Sequence, residues 1–246
     1  MGNRGILPLS FLFSHAIIKS RKGDNMKKPS IMQYLLTTCL FTIDELNGLY
    51  GSLSKDELML VAAQKFNEMD ITVRLGYPFR HMVHYESNSG PKKGIKINHD
   101  LYVETKEFEI EIKYLRNYDS EFGTKTNRQP WGPIQQDFDW ITDEISRGNK
   151  GKRAFVIGWF NFSECFAQAI QLGKTTGKNP NAHRERVALF PFLNKVDGEI
   201  KVNNLTYNYE TAYDELLVEI QGHPTSSLNC MFLGNETDVF HFAIYY

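Results

Sequence analysis

The chain has 246 residues, of which 41% are hydrophobic, 13% aromatic and 23% charged, with a formal net charge of −1. A chain of this length and composition can bury a sizeable core, so the composition excludes an intrinsically disordered protein. Its apolar stretches are shorter than the roughly 18 continuous apolar residues of a membrane-spanning helix, so we expect no membrane association. The three cysteines (Cys39, Cys165 and Cys230) are too few for a disulfide framework or a structural zinc site. They predict buried thiols in a reducing, cytoplasmic compartment.

Charge is segregated along the chain. Residues 146–195 carry nine basic and two acidic side chains, whereas residues 196–246 carry one basic and eight acidic side chains. The first segment, with a net charge of +7, offers a polyanion a binding surface. The alternative is that both segments are solvated loops and helix faces that neutralise each other.

The N-terminal residues 1–25 are predicted to be an extension or arm. They lack the small-residue cleavage site of a secretory signal, and Met26 is a second candidate start. We therefore expect a single domain over residues 26–246, since no internal repeat or low-complexity linker interrupts it.

The first part of this domain is predicted to be helical. Apolar spacing over Met32–Leu46 indicates a helix. Ser54-Lys55-Asp56-Glu57 is a capping box that opens a second helix running to about Met69. Short strands over Ile71–Arg74 and His81–Tyr85 are predicted to follow.

A hairpin is predicted next. Phe108, Ile110, Ile112 and Tyr114 alternate with polar residues, which indicates a half-buried strand. Residues 95–104 form the preceding strand, and the turn is centred on Thr105-Lys106. A two-residue or four-residue loop with this centre places Asp100 opposite Glu111, whereas a loop with an odd number of residues would shift the register by one.

The second half of the chain completes an α/β domain. The predicted elements are a helix over Ile134–Arg147 ended by Gly148, a buried strand over Ala154–Phe160, a helix over Ser163–Leu172, a strand over Val187–Leu193, a helix over Tyr209–Gln221, and a hairpin of Leu228–Leu233 with Val239–Tyr246.

Three charged residues of the hairpin converge in this register. Opposed strand residues have Cβ atoms about 5 Å apart, so Asp100 and Glu111 would repel each other unless a cation lay between them. Lys113 lies two residues beyond Glu111 and therefore on the same face. The arrangement predicts oxygen ligands for a divalent cation beside an ammonium group. The alternative is a solvated strand face.

Asp100 and the tripeptide Glu111-Ile112-Lys113 resemble the motif of the PD-(D/E)xK nuclease superfamily. The resemblance covers about residues 54–162, because the following helix and buried strand fit the order of that family's core. It implies an α/β fold with a restriction-endonuclease-like core, in which helices flank a mixed central β-sheet.

The resemblance also implies a function, Mg²⁺-dependent DNA phosphodiester hydrolysis by a restriction-type, defence or repair endonuclease. Asp100 and Glu111 would bind Mg²⁺, or Mn²⁺ as a substitute, with the Ile112 carbonyl completing the site. Lys113 would orient the attacking water and stabilise the charge that grows on the phosphate. Glu57 on the first helix and Gln136 on the helix after the motif are further candidates, because some branches of the family use residues there.

Basic residues of the +7 segment are the candidate DNA contacts, because phosphate contacts supply most non-specific affinity. They are Arg147, Lys150, Lys152, Arg153, Lys174 and Lys178. A homodimer would provide one active site for each DNA strand. The alternative function is a non-catalytic protein of the same fold that binds nucleic acid or a protein partner.

Overall fold

A computed structural model describes residues 30–79, 83–85, 100–115, 131–161, 166, 181–201, 204–219 and 227–246. Residues Ile31–Tyr246 form one compact unit. Its strands are β1 (Val83–Tyr85), β2 (Leu101–Val103), β3 (Phe108–Leu115), β4 (Arg153–Phe160), β5 (Glu215–Glu219), β6 (Ser227–Leu233) and β7 (Phe240–Tyr245). They form one seven-stranded sheet in the order β1-β2-β3-β4-β7-β6-β5. The pair β3–β4 is parallel, and the other five pairs are antiparallel.

Helices cover both faces of the sheet. They are α1 (Ile31–Tyr50), α2 (Lys55–Leu60), α3 (Glu68–Gly76) and α4 (Trp131–Glu144), together with a four-residue helix at Arg184–Val187. Apolar residues of α1 and α3 share one buried cluster with the sheet face that contains Ile110 and Ile112. Residues of α4 share a second cluster with Phe155 and Ile157 on the opposite face. The predicted mixed α/β fold, a mixed sheet flanked by helices, is confirmed at this level.

The predicted hairpin and its register are confirmed. Leu101 pairs with Ile110 and Val103 with Phe108, so the turn contains the four residues 104–107 centred on Thr105-Lys106. Glu107 closes the turn with a left-handed backbone conformation, φ 51°. The apolar residues of β3 are buried, and Glu109, Glu111 and Lys113 alternate with them on the opposite, α4-facing side.

One predicted helix and one predicted strand are wrong in the N-terminal part. The capping box at Ser54 and Glu57 is present, but the helix it opens does not continue to Met69. A second capping box interrupts it, because Asn67 Oδ1 accepts a hydrogen bond from the Met69 N–H and Asp70 accepts one from the Asn67 N–H. These bonds start α3, so Ile71–Arg74 is helical rather than a strand.

Two elements predicted in the C-terminal part are also wrong. Val187–Leu193 begins at the end of the Arg184–Val187 helix and continues as turns. Its apolar side chains are buried in the cluster with α4, and this burial produced the strand-like pattern. Tyr209–Gln221 contains a 3₁₀ turn and then β5, which pairs with β6. Tertiary pairing therefore overrode a weak helical pattern.

The closing hairpin is confirmed as β6 and β7. Cys39 and Cys230 are buried free thiols, as predicted. Within the described ranges, no helix is long and apolar enough to cross a membrane. The predicted arm (residues 1–25) lies outside the described residues, as do the helix over 163–172 apart from Phe166, and residues 95–99.

Gly158 in β4 provides a test of how α3 packs on the sheet. A Cβ atom at this position would lie 2.9 Å from Ile71 Cδ1 and 2.9 Å from Phe240 Cε1. Gly158→Val should therefore lower the free energy of unfolding by about 1–3 kcal/mol in urea denaturation. Gly132→Val is the control, because a Cβ at Gly132 meets nothing within 4 Å. Equal stability of the two variants would contradict this packing.

Candidate functional site

The candidate site lies where β3 extends beyond its neighbour β2. Among the described residues, the β2–β3 pairing covers only Phe108–Ile110 of β3. Beyond that point, two carboxylates accept the hydrogen bonds of β3 N–H groups on the β2 side. Asp100 Oδ2 accepts a hydrogen bond from the Ile112 N–H at 2.7 Å, and Glu68 Oε2 accepts one from the Tyr114 N–H at 3.1 Å. The N–H and C=O of one strand residue point to the same side, so the Ile112 carbonyl also lies at this open edge.

A lysine and two further carboxylates lie beside this edge. Lys113 Nζ is 3.3 Å from Asp137 Oδ2 and 3.8 Å from Glu111 Oε1, and it contacts the Ile112 carbonyl oxygen at 3.5 Å. The three side chains are only 21% (Lys113), 13% (Asp137) and 16% (Glu111) exposed. The structure therefore brings together the three predicted residues, Asp100, Glu111 and Lys113, and adds Asp137 from α4 and Glu68 from α3.

Burial and mutual repulsion oppose ionisation of these acids. Burial, followed by the charge of Glu111, raises the pKa of Asp100 to about 7, although the hydrogen bond from the Ile112 N–H opposes the shift. Burial also raises the pKa of Asp137 to about 7, with Lys113 acting in the opposite direction. Among the described residues, the site thus holds more carboxylates than nearby positive charges, and this imbalance favours binding of a cation.

Lys113 itself remains charged. Burial alone would lower its pKa, but the surrounding carboxylates, Glu68 foremost, together raise it above its usual value. An ammonium group with a raised pKa does not release a proton at neutral pH. Lys113 can therefore donate hydrogen bonds and supply positive charge, but it cannot act as a general base.

The oxygen atoms at this edge are of the kind that hard divalent cations prefer, carboxylates and a backbone carbonyl. Asp137 Oδ2 is buried, and Lys113, with Nζ at 3.3 Å, is its cationic partner. In the described part of the chain, no three His, Cys, Asp or Glu side chains are grouped closely enough to hold a metal ion. The set formed by Asp100, Glu111 and the Ile112 carbonyl needs only two carboxylates, so it fits Mg²⁺ without such a group.

The two further candidates on helices, Glu57 and Gln136, are both exposed. Glu57 accepts hydrogen bonds from Ser54 N and Oγ through Oε2 at 2.9 and 2.8 Å. Its role is therefore to cap α2. Gln136 lies on α4. The helix residues with contacts at this edge are Glu68 and Asp137.

Sequence reasoning missed both of these acids, although each had a signal. The second capping box, Asn67 with Asp70, would have placed Glu68 in the first turn of a helix. Ile134, Phe138 and Ile141 define the buried face of α4. Asp137 lies three residues after Ile134, so helical spacing alone puts it beside that face.

Most of the described basic candidates have acidic partners within the protein. Arg153, which is 12% exposed, lies 3.0 Å from Glu109 and 3.2 Å from Glu144. Arg147 lies 2.9 Å from Glu144. Lys152 lies 2.6 Å from the Glu107 carboxylate, and Lys150 is exposed. Lys174 and Lys178 lie outside the described residues. DNA contact by this group stays a prediction.

The chain was compared with protein-family models, curated proteins and solved structures. No family model, curated protein or solved structure matches the chain.

Asp100 and Asp137 should make the metal-free protein lose stability as the pH rises from about 4 to about 7. In the folded state these two groups keep their protons up to pH about 7, whereas an unfolded aspartic acid releases its proton near pH 3.9. At these groups the folded state therefore binds more protons in this window, which lowers the free energy of unfolding as the pH rises. The lowered pKa of buried His241 acts in the opposite direction. Asp100→Asn should flatten the fall in stability with pH and raise stability at pH 8 by about 1–2 kcal/mol.

Urea denaturation in EDTA at several pH values between 4 and 8 measures this effect. Asparagine can still accept the Ile112 N–H through Oδ1, so the variant removes the charge and retains the hydrogen bond. Asp139→Asn is the matched control, because Asp139 is an exposed aspartate on α4 that accepts a hydrogen bond from the Gln135 side-chain amide. A pH dependence in Asp100→Asn as steep as in the wild type would contradict the interpretation.

Proposed function

We propose that the protein is a divalent-cation-dependent phosphodiesterase that hydrolyses DNA, with Asp100, Glu111 and Lys113 as its catalytic residues. The observation that carries the proposal is the cluster at the open edge of β3. There, two carboxylates and a backbone carbonyl lie beside a charged lysine. This combination of groups is suited to phosphoryl chemistry, in which negative charge must be both tolerated and stabilised.

The metal site consists of Asp100, Glu111 and the Ile112 carbonyl. Mg²⁺ binds few protein ligands and retains several waters, so two carboxylates and one carbonyl are sufficient. When bound there, Mg²⁺ supplies Lewis-acid polarisation of the phosphate and a water of lowered pKa. The repulsion by Glu111 that helps to raise the pKa of Asp100 is relieved when a cation is shared between them.

Lys113 supplies the second element of the chemistry. Its ammonium group stays protonated, so it hydrogen-bonds a non-bridging phosphate oxygen and holds the attacking water in line. Its partial burial strengthens this electrostatic contribution, since the interaction of two charges is less screened away from water. Lys113 thus stabilises the transition state and takes no proton from the water.

The order of the elements supports the same proposal. An antiparallel meander of β1, β2 and β3 is followed by α4 and by β4, which pairs in parallel with β3. This is the order implied by the resemblance to PD-(D/E)xK nucleases, and α3 contributes Glu68 ahead of it. DNA is the proposed substrate because residues 146–195 carry a net charge of +7, which attracts a phosphate backbone.

Substitution of single site residues tests the proposal. Lys113→Ala should reduce cleavage of plasmid or oligonucleotide DNA in MgCl₂ by at least about 10²-fold, because it removes transition-state stabilisation. Mg²⁺ affinity, measured by calorimetry, should remain. Asp100→Asn should lose both cleavage and Mg²⁺ binding, because a neutral amide replaces a charged ligand poorly.

Lys106→Ala is the matched control for the lysine, because Lys106 is exposed in the turn of the same hairpin. It should cleave at the wild-type rate, and EDTA should stop cleavage by both proteins. A non-catalytic binding protein would give a different pattern. In that case the wild type would cut no DNA or RNA substrate and bind no divalent ion, and the proposal would fail.

A further inference from the structure

We infer that Asp137 is the positioning residue that holds the Lys113 ammonium beside the proposed cation. This inference rests on the proposed function, because it assigns Asp137 a role relative to Lys113 and the metal ligands. It concerns a residue on α4, outside the hairpin that carries the motif.

Three oxygen atoms surround Lys113 Nζ in the structure. Asp137 Oδ2 lies at 3.3 Å, the Ile112 carbonyl oxygen at 3.5 Å and Glu111 Oε1 at 3.8 Å. The carbonyl and Glu111 are also proposed ligands of the divalent cation. The ammonium group and the cation therefore compete for the same two oxygens. The Asp137 carboxylate is the nearest of the three oxygen partners of Lys113, and it lies on α4 rather than on β3.

The consequence concerns where Lys113 is held once a cation is bound. If Glu111 and the Ile112 carbonyl held a divalent cation, the ammonium group would lose both oxygens, because like charges repel. Asp137, at 3.3 Å, would then be the carboxylate in contact that keeps Lys113 at the site, aided by the attraction of Glu68. Without Asp137, the long lysine side chain would sample more of its rotamers.

The packing of α4 on the sheet fixes the position of Asp137. Phe138, the next residue, packs edge-to-face against Phe155 at 5.2 Å and against Tyr245 at 4.8 Å between ring centroids. Ile134 and Ile141 are buried on the same face. The Asp137 backbone is therefore held by the core, and its carboxylate contacts Lys113 from the helix that covers this face of β3.

The buried oxygen of Asp137 agrees with this role. Asp137 Oδ2 is buried and lies 3.3 Å from Lys113 Nζ, and Lys113 opposes the rise in the pKa of Asp137 that burial causes. A buried carboxylate needs a positive partner to remain ionised. The charge of Asp137 thus depends on Lys113, and the position of the Lys113 ammonium group depends on Asp137. Substitution of either residue should change the measured behaviour of the other.

NMR of the lysine ammonium groups tests the contact directly. In protein labelled with ¹⁵N-lysine, the Lys113 NH₃⁺ signal is assigned by its loss in Lys113→Met. In EDTA, we expect this signal in the wild type and about fivefold or more faster hydrogen exchange in Asp137→Asn, because the nearest anionic partner is lost. In excess MgCl₂, the signal should persist in the wild type and disappear in Asp137→Asn. Asp139→Asn, an exposed aspartate on the same helix, should behave as the wild type does.

The same variants separate positioning from metal ligation. If Asp137 acts through Lys113, then Asp137→Asn should change the Mg²⁺ dissociation constant by less than about threefold in a Lys113→Met background. A loss of about tenfold or more in that background would make Asp137 a metal ligand and overturn the positioning role. In the cleavage assay, Asp137→Asn should lower kcat and leave KM for DNA unchanged.

Failure of this inference differs from failure of the proposed function. If calorimetry shows no Mg²⁺ binding to the wild type, the phosphodiesterase proposal fails, and the comparison in EDTA still decides whether Asp137 holds Lys113. Identical Lys113 signals in the wild type and in Asp137→Asn, in both buffers, would overturn the inference. So would the absence of any Lys113 signal from the wild type in EDTA.

Discussion

The end of the β2–β3 pairing is the constraint on which the candidate site depends. In the part of the chain that the structure describes, β2 pairs only with Phe108–Ile110 of β3, and no strand there pairs with the N–H groups of Ile112 and Tyr114 on that side. Unpaired backbone groups at a partly buried edge must find other partners. Asp100 and Glu68 supply them, and these hydrogen bonds fix two carboxylates at the edge. The Ile112 carbonyl points to the same edge of β3, because the N–H and C=O of one strand residue point to the same side.

The charge balance of the site follows from this packing. The layer of α3 supplies Glu68, the hairpin supplies Asp100, Glu111 and Lys113, and α4 supplies Asp137. In the part of the chain that the structure describes, one lysine lies among these four carboxylates. Burial, followed by the charges of the neighbouring acids, raises the pKa of both Asp100 and Asp137 to about 7. Such a cluster lowers the stability of the folded protein, and groups with perturbed pKa values of this kind are concentrated at functional sites. A divalent cation is the partner that would relieve the repulsion among these carboxylates.

The sequence was sufficient to predict the hairpin and its register, because period-two alternation and a turn centred on Thr105-Lys106 are local signals. They also placed Asp100 opposite Glu111. Glu68 and Asp137 were missed because each reaches the site through tertiary packing of a helix on the sheet. The C-terminal strand β5 was predicted as a helix for a related reason. It is an edge strand whose pairing with β6, a long-range contact, decides its conformation.

The most direct test of the account is anomalous diffraction from crystals soaked in MnCl₂, collected near the manganese absorption edge. Mn²⁺ prefers the same oxygen ligands as Mg²⁺ and is located unambiguously by its own signal. The account predicts one ion about 2.0–2.3 Å from oxygens of Asp100 and Glu111 and from the Ile112 carbonyl, with Lys113 Nζ beside Asp137. A well-ordered site without an ion at saturating MnCl₂, or an ion bound only elsewhere, would contradict it.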